Sequence, residues 1–324
     1  MIGAAILALG LAGGALSYWV IFAGPGRVAA PPPAVTASVA PPAIIAPAAP
    51  VAPPSAVPGL FAPGTVPEPS QPAPRSISPR AVVPVLDEET ILTNVATVPR
   101  MFRLRENPRV FVLDFPTLEM QGEAMNRMAA LVEKVGQPRN RLLDDEALAH
   151  AIAASGDTPA TYYYGHNYRS ADLARFFMMA ERDQVTLTMG EEWMRLQYEI
   201  AKEMVQGPEG FALLAVPGVE RRVDITMRRA ILHHEIGHGH YFTRPAFAAH
   251  VQRVWREIFT EQERASYRRF LESEGYDPAL EDVMINEAMA YTVFTPDRRF
   301  FAPAMVGIEE ARVEALRQAL QSGF

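Results

Sequence analysis

Four of the seven histidines fall within the eight residues from His233 to His240, and among them stands His234-Glu235-Ile236-Gly237-His238. This is an H-E-x-x-H pattern. On an α-helix, side chains four apart lie on one face, one above the other. His234 and His238 can thus offer two imidazole nitrogens to one ion, with the Glu235 carboxylate at its edge. That set suits a zinc ion with a general base beside its bound water. The chain has no cysteine, so thiolate ligands, disulfides and a cysteine nucleophile are excluded. Any metal must be held by histidine and carboxylate.

Two imidazoles do not complete such a centre, because catalytic zinc usually takes three protein ligands and leaves one position for water. The pattern H-E-x-x-H-x-x-G-x-x-H would need Gly at 241 and His at 244, where Tyr241 and Arg244 stand. His240, two residues beyond His238, points away on a continued helix, and His250 has no supporting pattern. The better candidate is Glu287, within Ile285-Asn286-Glu287-Ala288-Met289-Ala290-Tyr291. Its neighbours Val283, Met284, Ile285, Ala288, Met289, Val293 and Phe294 are apolar, and a carboxylate in such surroundings wants a strong partner. Ala288 and Ala290 are small enough to let a second helix approach.

Together, His234-Glu235-Ile236-Gly237-His238 and Asn286-Glu287-Ala288-Met289-Ala290 resemble the gluzincin group of zincin metallopeptidases, in which an N-E-x-x-A/S helix carries the glutamate ligand. The resemblance covers roughly residues 211–295 and does not reach a family within the group. It implies that His234, His238 and Glu287 bind zinc and that Glu235 is the base in peptide-bond hydrolysis. Two departures stand out. The gap between the motifs is longer than in compact members, which implies an inserted pair of helices. Several members also carry an acidic residue where Tyr291 stands, to support a ligand histidine. The oxyanion donor stays open among Tyr291, Tyr276, Tyr241 and His250, and His233 reads as structural.

Elements must position these residues. Asp224 is a candidate N-cap for a helix that runs through Ile225–Leu232 into the motif. Arg109–Phe115 reads as a strand, and Thr117 caps a methionine-rich helix ending at Gly136. A short helix runs from Asp144 or Asp145 to Ile152. Thr161–Tyr168, with three consecutive tyrosines, reads as packed aromatics in a loop or strand end. Ser170 caps a helix to Arg182, Val185–Met189 alternates as a strand, and Glu191–Val205 is helical. Phe211–Val216 is a strand, and Pro245–Phe259 a helix. Thr260-Glu261-Gln262-Glu263 is a capping box opening another helix. Helices over Leu280–Phe294 and Ile308–Leu320 complete the pattern. The fold class expected is α+β and helix-rich: a zincin-like domain with a small sheet packed on the H-E-x-x-H helix and a helical C-terminal subdomain.

Composition divides the chain of 324 residues, with most of its 29 prolines before residue 85. Residues 1–24 are apolar and long enough for a transmembrane anchor, with a cleaved signal peptide as the rival reading. Residues 25–85 form an Ala/Pro-rich linker expected to be disordered. Residues 86–210 are the first part of the folded region, and 211–324 the core that holds both motifs. The net charge is −7 with no basic block, which gives nucleic-acid binding no support. The partners expected are a peptide or protein substrate and, through the N-terminal helix, a membrane, with the domain on its extracytoplasmic side. The contrasting expectation is a catalytically silent zincin-like domain acting as an envelope binding or scaffolding module.

Overall fold

The computed structural model describes residues 82–324 apart from 206 and 209. The expected anchor, and the linker except for its last residues, lie outside the described residues. Among the described residues, no helix is long and apolar enough to cross a membrane. In chain order the elements are β1 (Val85–Leu86), α1 (Glu88–Leu92), β2 (Arg100–Leu104), β3 (Val110–Phe115), α2 (Leu118–Val132) and α3 (Asp145–Ala154). There follow β4 (His166–Arg169), α4 (Ser170–Arg182), α5 (Met189–Met204), β5 (Ala212–Pro217) and α6 (Ile225–Thr243). The C-terminal part is helical: α7 (Pro245–Glu257), α8 (Glu261–Ser273), α9 (Glu281–Phe294), α10 (Pro303–Val306) and α11 (Glu310–Gln321). The fold is α+β and helix-rich, as expected, around one mixed sheet.

The sheet has the order β1-β2-β3-β5-β4. β3 pairs with β5 in parallel, while β2 and β4 flank that pair antiparallel. β3 and β5 are buried along their whole length, which explains their largely apolar sequences, broken in β3 only by Asp114. Alternation still sorts their side chains. Val110, Val112, Leu214 and Val216 join the cluster around α6 and the C-terminal helices. Phe111, Leu113, Phe115 and Leu213 join the opposite cluster, with α2, α4 and α5. The sheet draws strands from both sides of residue 210.

Two central helices, α6 and α9, are buried nearly all round, so their polar residues must find partners inside. α6 starts where Asp224 accepts a hydrogen bond from the Met227 amide at 2.8 Å. One turn in, Arg228 is fully buried and paired with buried Asp114 of β3 at 3.0 Å. Its guanidinium also donates to Leu92 O at 3.0 Å and Ile91 O at 2.9 Å, and to Pro217 O. Asn94 donates to the other Asp114 oxygen at 2.6 Å. This network ties α6 to α1 and to the ends of β3 and β5. Removing one partner from a buried pair leaves an uncompensated charge. Arg228→Ala is therefore expected to lower unfolding stability by about 3–5 kcal/mol in chemical denaturation. A loss below about 1 kcal/mol would show that the pair does not hold α6 in place.

The two helices expected between the motifs are α7 and α8, and the capping box at Thr260 and Glu263 forms with both hydrogen bonds present. Two local readings are corrected. Val185–Met189 is not a strand: Thr188 caps α5, and Glu191 closes a second capping box with it. The T-x-x-E signal there outweighs five residues of alternation. Ser170 is the first residue of α4 and not its cap, and its hydroxyl accepts from the Phe211 amide at 3.3 Å. The polar segment His166–Arg169 is a true edge strand, held by β5.

Candidate metal centre

His234 and His238 lie one turn apart on α6, and both rings face α9. Their ring centroids are 4.7 Å apart, and their Nε2 atoms 3.0 Å. Glu287 enters from α9 and turns one oxygen to each ring: Oε2 to His234 Nε2 at 3.4 Å, Oε1 to His238 Nε2 at 3.4 Å. The two helices come this close partly because residue 237 is glycine. A Cβ there would stand 2.6 Å from the Phe294 ring, at the last turn of α9. Ala288 and Ala290 are fully buried, in keeping with a close approach.

These three side chains form the group of titratable ligands, among the described residues, that could hold a metal ion. The spacing fits one. A tetrahedral zinc with bonds of about 2.0–2.1 Å keeps its ligand atoms about 3.3–3.4 Å apart. The two Nε2 atoms, 3.0 Å apart, stand a little closer than that, and each lies 3.4 Å from one of the two Glu287 oxygens. The donor chemistry fits as well. Glu287 Oε2 is buried and accepts no hydrogen bond from a described group. Burial pushes the His234 imidazole down to about 3 and the His238 imidazole down to about 4, so both are neutral ligands at ordinary pH. Burial also raises the Glu287 carboxyl, against the opposing pull of His238. Two neutral imidazoles and a buried carboxylate converging on one point make a set that a cation would complete.

Glu235 sits beside this group, 2% exposed. Burial and the nearby Glu287 hold its carboxyl well above the usual carboxylate range. Its Oε2 accepts from Asn167 Nδ2 at 3.0 Å. Asn167 belongs to the edge strand β4, so the sheet positions this carboxylate directly. Gly165, just before that strand, makes the space: a Cβ there would fall 2.2 Å from Glu235 Oε1.

A further layer surrounds the ligands. Thr295 Oγ1 lies 2.9 Å from His234 Nδ1. The Tyr291 ring packs edge-on against His234, with centroids 4.8 Å apart. Tyr276, also buried, lies beside Glu287 and Tyr291. His238 Nδ1 is buried without a hydrogen-bond partner among the described residues. The loop tyrosines Tyr162, Tyr163 and Tyr164 are buried aromatics, and Tyr163 packs 5.9 Å from Tyr276.

The remaining candidates are engaged elsewhere. His240 Nδ1 meets Asn107 Nδ2 at 3.0 Å, and His250 Nε2 donates to Ala319 O at 2.7 Å, on α11. His233 pairs with Glu88 at 2.8 Å. Tyr241 donates to Asp282 at 2.8 Å. Of the four possible oxyanion donors, Tyr276 and Tyr291 are therefore the two at the centre. Sequence reasoning did not single out Asn167, Gly165 or Thr295. The signals were present: a glycine and an asparagine flanking His166 in a tyrosine-rich stretch, and a threonine before proline at a helix end. Compared with known proteins, the chain matches no family model, no curated protein and no solved structure, so any function assigned to it rests on these residues and their geometry.

Proposed function

We propose that this chain is a zinc-dependent metallopeptidase of gluzincin type that hydrolyses peptide bonds. The observation carrying this reading is the convergence of His234, His238 and Glu287 at ligand spacing, with Glu235 beside them on the same helix. A zinc ion held there would lower the pKa of a bound water towards about 7 and polarise the scissile carbonyl. Glu235 would take the proton of the attacking water and return it to the departing amine. Asn167 holds one oxygen of that carboxylate and so sets the direction of the other. Tyr291, packed on His234, and Tyr276, beside Glu287, are the candidate hydroxyl donors to the charge that would develop on the carbonyl oxygen. A zincin-like domain, an N-terminal membrane tether and an extracytoplasmic location complete the proposal, on the resemblance and the apolar N-terminal run.

One observation favours a second reading. His234, Glu235, His238 and Glu287 are each no more than 2% exposed, as they would be in a catalytically silent zincin-like module that serves as a scaffold in the envelope. Hydrolysis separates the two. The chain is expected to cleave an unfolded protein such as casein, to stop when a zinc chelator is added, and to recover with added zinc. Bound zinc without cleavage of any peptide in a broad fluorogenic library would leave the silent module standing.

A further inference from the structure

Two residues after Glu287 meet His234: Tyr291, four residues on along α9, and Thr295, just past the end of that helix. Thr295 makes a second contact: its Oγ1 donates to Ala290 O at 3.1 Å. A carbonyl only accepts, so the one hydroxyl proton is committed to it. The hydroxyl oxygen is then the acceptor for His234, whose own proton must sit on Nδ1. This leaves the lone pair on Nε2, the nitrogen that faces His238 and Glu287.

Local sequence puts Thr295 in place. Pro296 disfavours a helical residue before it. Thr295 accordingly leaves the helix, with φ −123° and ψ 69°, and its side chain turns back on the last turn. Its chemistry is also particular. A carboxylate behind a ligand histidine raises the basicity of that ligand, whereas a hydroxyl brings no charge.

We propose that Thr295 is the positioning residue of the metal centre: it fixes the tautomer and ring plane of His234 and, being neutral, leaves Glu287 as the ligand set's one negative charge. The proposal rests on the reading of His234, His238 and Glu287 as a metal site. It answers where support for a ligand histidine comes from when Tyr291 occupies the place of an acidic residue.

The test compares the full chain with Thr295→Val and Thr295→Ser. Zinc affinity is read by competition with a chromophoric chelator, and coordination by the visible spectrum of the cobalt-substituted protein. Thr295→Val keeps the shape and removes the acceptor. It is expected to bind zinc about 10–100-fold more weakly and to shift the cobalt bands. Thr295→Ser keeps the hydroxyl and should resemble the wild type in both. Wild-type affinity and an unchanged cobalt spectrum in Thr295→Val, even with a lower melting temperature, would make Thr295 a helix cap only and overturn the proposal. Equal losses in both variants would overturn it too, since the hydroxyl would not be the active group. A wild-type chain that takes up neither metal would instead overturn the metal-site reading beneath it, before any variant is compared.

Discussion

Glu235→Gln is expected to keep the bound metal and to lose peptide hydrolysis by about 10²–10⁴-fold in kcat, the range a positioned general base contributes. The replacement has nearly the same size and shape. Asn167 Nδ2, now 3.0 Å from a carboxylate oxygen, can donate to the oxygen of the substituted amide in its stead, so the packing against Gly165 and β4 survives. What disappears is the lone pair able to accept a proton from water. KM should move little, because Glu235 acts on the reacting water. Removing a buried acid also removes the like-charge neighbour of Glu287, so the metal-free variant should fold at least as stably as the wild type. A Glu235→Gln variant that cleaves casein at the wild-type rate would refute the assigned base.

The second large effect is on the metal. Glu287→Ala is expected to abolish zinc-dependent stabilisation, because two imidazoles alone do not make a closed set of protein ligands. A ligand that binds only the folded state raises stability by RT ln(1 + [L]/Kd), about 2.7 kcal/mol at a hundredfold excess over Kd. The wild type should therefore melt higher as zinc is added, while the variant should melt at the same temperature with or without it. In the absence of metal the variant need not be weaker. Burial already raises the Glu287 carboxyl, and Glu287 in turn raises Glu235 and the buried Glu133. Taking it away relieves that crowding, against a small cavity where the carboxylate was. Equal zinc-induced shifts in the two proteins would exclude Glu287 as a ligand.

Much of the site could be read from sequence because its signals are local. His234 and His238 are joined by helical periodicity alone, and the structure places their Nε2 atoms 3.0 Å apart. Glu287 was legible for a different reason: a carboxylate among apolar neighbours implies a buried partner, and the partner proves to be the histidine pair. Capping chemistry was equally local at Thr117, Asp224 and Thr260. Where two local signals competed, the weaker one misled. At Val185–Met189, alternation over five residues obscured the Thr188–Glu191 capping box.

What stayed illegible depends on chain pairing over long separations. β1, α1 and β2 were not identified, and β1 is only two residues long, held through its register with Arg103 and Leu104. Asn167 reaches Glu235 across 68 positions of sequence, and no periodicity records that contact. Thr295 lies 61 positions from His234, and its role follows only once α6 and α9 are packed. Tyr241 and His250 were fair candidates beside Tyr276 and Tyr291 until the structure gave them other partners.

The central claim, that His234, His238 and Glu287 hold a zinc ion, is tested most directly by elemental analysis of the purified chain after zinc loading and dialysis. About one zinc per chain is predicted, for a single site with three protein ligands. A chain that comes through without zinc, correctly folded by circular dichroism, would contradict the account.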